Sequence, residues 1–398
     1  MYLVSATASG QLARSIAEEG GMSSIIWSGD YGLHNDFSVD LSVKFSDLQY
    51  DLTLGMMGIG YGPFATDLQI KRERVFTYKN GVKSRILNRG IGSIEAREAS
   101  GVTSDYTMRV AGNESILTGL REPHRYPGLS RLQQEFLGWR FYHHFRTDKD
   151  SPLRKPQLAV ATPIMAHDGG DLIPAIATIK QWGDWDSFLE SLKEAFPGSE
   201  LILSETNSGL RLGMRYPGLQ RTLDASELSD GTLQYLCLLC AFYSLHAPTM
   251  LVLNEPETSI HPDLLEPLAR LVVNASKESQ IWITTHSTDL SDYILDLSGH
   301  SPLVIEKVAG ETRLVGVKLG EHPDEQDDDA DEDEDELNDA ATGLGPGRGK
   351  ANKSAQTKKR GEDKNQKTVD LELKIDPEAE AAAAKLASLR KKLDDKSK

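Results

Sequence analysis

Residues 250–253 (MLVL) form a fully apolar run that ends abruptly in Asn254-Glu255-Pro256-Glu257-Thr258-Ser259. A short apolar run of this kind reads as a buried parallel strand, and polar side chains at its C-terminal end lie where ligands bind in open α/β sheets. In a nucleotide hydrolase such a strand end offers one group to the Mg²⁺ shell and one carboxylate to orient or deprotonate the attacking water. Asn254 and Glu255 occupy those two places. Taken alone, the same residues also fit a strand that simply ends in a polar turn.

Two further stretches bear on this choice. Upstream, Leu228-Ser229-Asp230-Gly231-Thr232-Leu233-Gln234 leads into an apolar run. A serine, a glycine and free backbone N–H groups at a helix start make an anion site, although a plain N-cap would use the same residues. Downstream, residues 281–284 (IWIT) end in Thr285-His286-Ser287. A histidine at the end of a neighbouring buried strand can touch a γ-phosphate, although in isolation it is more often a satisfied structural histidine. Order and spacing decide between the readings.

The series LSDGT-Q, then apolar-NEPETSIHPD, then ITTHS resembles the signature motif, the Walker B motif with D-loop, and the switch histidine of ABC-type ATPases. It is most similar to the RecF/SMC-like predicted AAA-type ATPases of bacteria. The resemblance extends to LARSIAEEGGMSSIIWSGD and LGWRFYHHFRTDKDSPLRKPQ, and covers roughly residues 5–318. It implies an α/β fold: a P-loop NTPase-like, ABC-type ATPase head with a mixed sheet, an antiparallel N-terminal lobe and a helical insertion, N-terminally truncated. The implied cofactors are ATP and Mg²⁺. Glu255 would be the catalytic base and His286 the γ-phosphate sensor. Ser229, Gly231 and Gln234 of the signature, Asn254, and Ser259 and Asp263 of the dimer-facing loop at 259–263 would contact nucleotide. Ser229 and Gly231 would do so on ATP held by a partner subunit. Mg²⁺ would be held, indirectly, at Asn254 and Glu255. Asn254 stands where the wider superfamily has an aspartate, and loss of that charge weakens metal binding through that shell.

The resemblance also implies a strand and G-x-x-x-x-G-K-[ST] upstream, and no such motif occurs in the sequence. Gly349-Lys350 does not substitute, because Leu344 stands where the first glycine belongs and Ala351 follows the lysine. A late start site or a truncation is the expected reason, ahead of a real loss. Two functions follow. One is an ATP-hydrolysing head that works as a homodimer, or as a heterodimer with a P-loop-bearing ATPase, in DNA repair or phage defence, with DNA or an effector protein as a further partner. The other is a non-hydrolysing regulatory or adaptor subunit that completes a partner's ATP site in trans, or an inactive fragment.

The elements that must position these residues follow from periodicity. Residues 6–20 predict one short amphipathic helix ending at Gly20-Gly21. Alternation at 24–27 and across 36–54, then in LQIKRERVF and VKSRILN, predicts an antiparallel sheet. Residues 115–150 read as helical around SRLQQEFLGWRFYHHF, a second helix fits 185–196, and the strand pair ELILSET and LRLGMRY follows. From Leu228 the pattern alternates helix and apolar strand, the mark of a parallel sheet. Strands at 304–308 and 312–318 close it as a hairpin. The expected organisation is a head over 1–320, a linker over 321–370 and a marginal helix over 371–398. The head divides into 1–114 (partial lobe I with the antiparallel sheet), 115–212 (helical and strand insertion) and 213–320 (signature, Walker B and switch-histidine lobe).

Composition restricts the alternatives. The net charge of −16 is concentrated in residues 324–339, which hold twelve carboxylates and no lysine or arginine. Such a run repels itself and stays solvated, so residues 321–370 are expected to be disordered, acidic first and basic after. It cannot build a nuclease metal site, since nothing apolar fixes its carboxylates. The body is mildly acidic, which argues against strong non-specific DNA binding, though Lys71, Arg72 and Arg74 form a local basic patch. Cys237 and Cys240, the only cysteines, lie inside the apolar YLCLLCAFYSL and read as helix packing. The adjacent His143 and His144 point in different directions on a helix and read as packing and surface residues rather than as metal ligands. No 18-residue apolar stretch or signal peptide is present, so the expected location is the cytoplasm, with no membrane partner.

Overall fold

A computed structural model of the chain describes residues 1–26, 38–58, 62, 64–106, 110–308 and 311–315. The acidic tract, the linker and the C-terminal helix expected after residue 320 lie outside the described residues. Among the described residues no helix is long and apolar enough to cross a membrane.

The chain begins with α1 (Tyr2–Ser9), α2 (Leu12–Glu18) and the single turn α3 (Met22–Ile25). The one helix expected over 6–20 is therefore two, and 22–25 is helical where 24–27 suggested a strand; Trp27 lies outside the described residues. Gly10 is the reason for the break. It adopts φ 76°, the left-handed cap that ends a helix and that glycine enters without steric cost.

Six antiparallel strands follow in a simple meander: β1 (Ser38–Lys44), β2 (Leu48–Met56), β3 (Leu68–Lys79), β4 (Val82–Arg89), β5 (Ile94–Arg97) and β6 (Thr103–Asp105). Lys79 pairs with Val82 across Asn80-Gly81, both at positive φ, the two-residue turn whose twist matches paired strands. Alternate residues of β2 are buried, Tyr50, Leu52 and Leu54 among them, as the two-residue period requires. Beside them Glu73 and Arg89 form a buried ion pair.

Next come α4 (Ile116–Gly119), α5 (Pro127–Gly138) and β7 (Arg140–Tyr142). The helical reading of the 130–145 stretch holds only as far as Gly138. Beyond it, Arg140, Phe141 and Tyr142 pair in parallel with Leu251, Val252 and Leu253. Tertiary pairing overrides a local pattern that continues the helical period.

The remainder comprises α6 (Leu172–Trp182), α7 (Trp185–Ala195), β8 (Glu200–Thr206), β9 (Gly209–Arg215), β10 (Leu223–Asp224), α8 (Asp230–Phe242), β11 (Met250–Asn254), α9 (Leu265–Ala275), β12 (Gln280–Thr284), α10 (Thr288–Ser298), β13 (Ile305–Val308) and β14 (Glu311–Leu314). The molecule is thus mixed α/β. A three-stranded parallel sheet in the order β12-β11-β7 lies between two buried clusters. Leu251 and Leu253 face the cluster around α8, while Met250 and Val252 face the one shared by the meander, α1 and α5. That two-sided burial explains why β11 is apolar at successive positions rather than alternating.

Within α8 the residues from Thr232 to Ala241 are all buried, so this helix is a core element and not an amphipathic one. Cys237 and Cys240 are among them, and burial pushes both thiols well above their ordinary range. A thiol held protonated is a poor nucleophile and a poor metal ligand, so both pack as small apolar groups.

Candidate functional site

The three parallel strands end side by side, and each delivers a polar side chain at its end. Asn254 pairs with Thr284 in the ladder of β11 and β12, and Thr284 Oγ1 donates to Asn254 Oδ1 at 2.5 Å. On the other side Asn254 Nδ2 lies 2.8 Å from Nδ1 of His143, the residue that follows β7. His143 therefore belongs at the end of a strand and not on a helix surface as its sequence context suggested.

Glu255 begins the turn. Its N–H donates to Thr284 O at 2.8 Å, and its backbone takes φ 47°, as Ser259 takes 65° a few residues on. A non-glycine residue in the left-handed region costs on the order of 1 kcal/mol, and such residues gather where a side chain must be aimed. The Glu255 carboxylate ends 3.4 Å from His286 Nε2. It is 44% exposed and the imidazole 89% exposed, so both open to solvent from the strand ends.

Glu257, unmarked by the sequence reading, holds the histidine loop in place. Its Oε1 accepts from Thr285 Oγ1 at 2.6 Å, His286 N at 3.1 Å and Ser287 N at 3.2 Å. Its Oε2 is buried with no hydrogen-bond partner among the described residues. The only hint in the sequence was a second carboxylate two residues after Glu255.

The signature residues form a second cluster. Ser229 caps α8, accepting Thr232 N–H at 3.1 Å, so the plain N-cap reading is realised at this hydroxyl. Gly231 packs directly on the loop after β11: a Cβ there would lie 2.4 Å from Ser259 O. Ser229, Gly231, Ser259, His261 and Asp263 share an open groove of about 660 Å³ with Phe196 as an apolar wall. Gln234 is not part of it. It lies in the buried body of α8 at 8% exposure.

Arg154 fixes the approach to α8, a role the sequence did not signal. Its Nη1 donates to Ala225 O at 3.3 Å, Ser226 O at 3.2 Å and Leu228 O at 2.7 Å, and its Nη2 to Asp230 Oδ1 at 2.7 Å. Just upstream, Arg221 grips Glu227, and this hydrogen bonding with the Asp224 N–H holds the Glu227 carboxyl at about 2. The segment before Ser229 is therefore tied down by charge-assisted bonds.

Gly231→Ala is expected to destabilise the chain by about 1–3 kcal/mol, less roughly 1 kcal/mol returned by helix propensity. The obstruction is a backbone oxygen, so loop 259–263 must move. Urea denaturation measures the effect, and an unchanged midpoint would show that the loop yields freely.

Among the described residues no group of three or more His, Cys, Asp or Glu side chains could hold a metal by itself. Mg²⁺ keeps several waters and takes only one or two protein ligands beside phosphate oxygens. Asn254 Oδ1 and the open Glu255 carboxylate fit that limited role.

Residues 111–292 match the family described as AAA domain, putative AbiEii toxin, Type IV TA system. Both clusters, from His143 to His286, fall inside the matched stretch. No curated protein matches the chain.

Solved structures similar to the chain include SMC heads. One is the SMC head domain from Thermotoga maritima, with 16% identity, a TM-score of 0.31, and coverage of 66% of this chain and 79% of that one. Another is the Smc head domain derived from Pyrococcus furiosus, bound to the C-terminal domain of ScpA. It shows 10% identity, a TM-score of 0.37, and coverage of 80% and 86%. An SmcHead bound to the C-winged helix domain of ScpA gives 11% identity, a TM-score of 0.40, and coverage of 80% and 87%.

Proposed function

We propose that the AAA domain binds and hydrolyses ATP with Mg²⁺ as part of a dimer, either with itself or with a P-loop-bearing ATPase. The observation that carries this reading is the row of strand ends, which sets Glu255 and His286 3.4 Å apart beside Asn254. Glu255 orients and deprotonates the attacking water. His286, held by Glu257 through its backbone, contacts the γ-phosphate. Bound Mg²⁺ would neutralise charge on the β- and γ-phosphates, with Asn254 and Glu255 holding its water shell. The groove at Ser229 and Gly231 receives the γ-phosphate of the partner's nucleotide, through N–H groups at the start of α8. The cellular setting we propose, on the sequence resemblance alone, is DNA repair or phage defence in the cytoplasm, with DNA or an effector protein as partner.

A second reading has its own observation. The sequence contains no G-x-x-x-x-G-K-[ST]. The chain would then be a regulatory or adaptor subunit that offers Ser229 and Gly231 in trans without hydrolysing ATP itself.

The test is an ATPase assay on the chain alone, on a P-loop-bearing homologue alone, and on the two mixed. The chain alone is expected to bind Mg-ATP poorly, and the mixture to exceed the homologue's own rate. Ser229→Arg should abolish that excess, because it places bulk and charge where the partner's γ-phosphate sits. Micromolar Mg-ATP affinity in the isolated chain would show that the nucleotide site is misplaced. A mixture no faster than the homologue would overturn both readings.

A further inference from the structure

A side-chain amide has no sense of direction of its own. Its oxygen and nitrogen are nearly isosteric, and a half-turn exchanges acceptor for donor. Asn254 is gripped from both sides, by Thr284 Oγ1 at Oδ1 and by His143 Nδ1 at Nδ2. An amide nitrogen only donates, so His143 Nδ1 must be the bare, accepting nitrogen and the ring hydrogen must sit on Nε2. A hydrogen on Nδ1 would require the opposite amide orientation. The imidazole tautomer and the amide orientation thus fix each other.

The backbone enforces the encounter. Tyr142 pairs with Leu253 in the parallel ladder, so the next residue of each chain segment, His143 and Asn254, leaves the sheet alongside the other. Asn254 in turn pairs with Thr284. An aspartate at 254 would set a carboxylate oxygen against the bare Nδ1, acceptor against acceptor. Asparagine at 254 and the accepting histidine at 143 are therefore matched.

We propose that His143 is a positioning residue of the nucleotide site: through Nδ1 it takes the amide N–H of Asn254 and holds Asn254 Oδ1 on the Thr284 side. The pairing stands on geometry, and its part in ATP hydrolysis rests on the function proposed above. Loss of an outer partner of this kind typically costs about 10–100-fold in activity or metal affinity.

Long-range ¹H–¹⁵N spectra of the full chain test the pairing, with His143 assigned by the signal missing in His143→Gln. The expected result is a single tautomer with hydrogen on Nε2, reversed in Asn254→Asp. The side-chain amide of Asn254, assigned by its loss in Asn254→Ala, should keep its hydrogen-bonded proton in His143→Gln, which retains an acceptor, and lose it in His143→Phe. In the ATPase mixture, His143→Phe should lower kcat by about tenfold or more with little change in KM, and His143→Gln should recover most of it. Averaged tautomers that ignore Asn254→Asp, in an active mixture, overturn this proposal alone. So does equal activity of the two His143 variants. A paired His143 in a mixture without ATPase activity overturns the functional reading instead.

Discussion

Glu255→Gln, assayed with a P-loop-bearing partner, is expected to lower the turnover that depends on this chain by about 10²–10⁴-fold, the usual effect of removing a positioned base. The size follows from placement. The Glu255 N–H is anchored on Thr284 O, and its left-handed backbone aims the carboxylate toward His286 at 3.4 Å. Glutamine keeps the shape and the backbone while removing proton affinity, so structure and phosphate contacts should persist. ATP affinity should therefore change little, and the variant should accumulate an ATP-bound dimer visible by size-exclusion chromatography. Ser229→Arg should show the opposite pattern, with no dimer. Hydrolysis by Glu255→Gln at the parent rate would remove Glu255 from catalysis and with it the central assignment of the site.

The contrast between what the sequence disclosed and what it concealed has a physical pattern. β11 was legible because burial on both faces makes a strand apolar at successive positions, and the polar residues after such a strand stand out; β12 was legible as a short apolar run, although Trp282 within it is exposed. The start of α8 was legible because a serine cap and a glycine precede a long apolar run. β7 was not, because a strand of three residues draws its hydrogen bonds from Leu251, Val252 and Leu253, far along the chain. His143 was misplaced for the same reason. Arg154 contacts Ala225, Ser226, Leu228 and Asp230 across another long gap, and no local pattern marks an arginine that will tie down a distant loop. Gly10 was visible as a residue but not as a helix end, since a glycine inside a periodic stretch can be tolerated as well as terminate one. Gln234 shows the converse: motif position suggested a ligand contact, and helix packing buried the side chain.

Glu73→Ala is expected to destabilise the chain by about 3–5 kcal/mol, the range for removing one partner of a buried ion pair. Glu73 is fully buried and Arg89 nearly so. The carboxylate accepts from Tyr50 Oη at 3.0 Å, Ser115 Oγ at 2.5 Å, Ile116 N at 3.0 Å and Arg89 Nη1 at 3.1 Å. Arg89 also donates to Glu114 O and to Ala111 O, the latter at 3.0 Å. Alanine would leave that guanidinium buried opposite no charge and strip three further donors of their acceptor. Two of those donors belong to residues 115 and 116, so the network joins the meander to the start of the 111–292 stretch. Loss of the carboxylate should accordingly raise hydrogen exchange at the Ile116 amide first, before the meander itself opens. Urea denaturation gives the global cost, and hydrogen exchange gives its location. Replacing the pair together, Glu73→Leu with Arg89→Met, should recover much of the loss, because no charge then remains to be desolvated. A midpoint unmoved by Glu73→Ala would mean that water reaches Arg89 readily, and that other contacts, Arg131 with Asp47 and Arg125 with Glu98 among them, hold the meander to the segment that follows it.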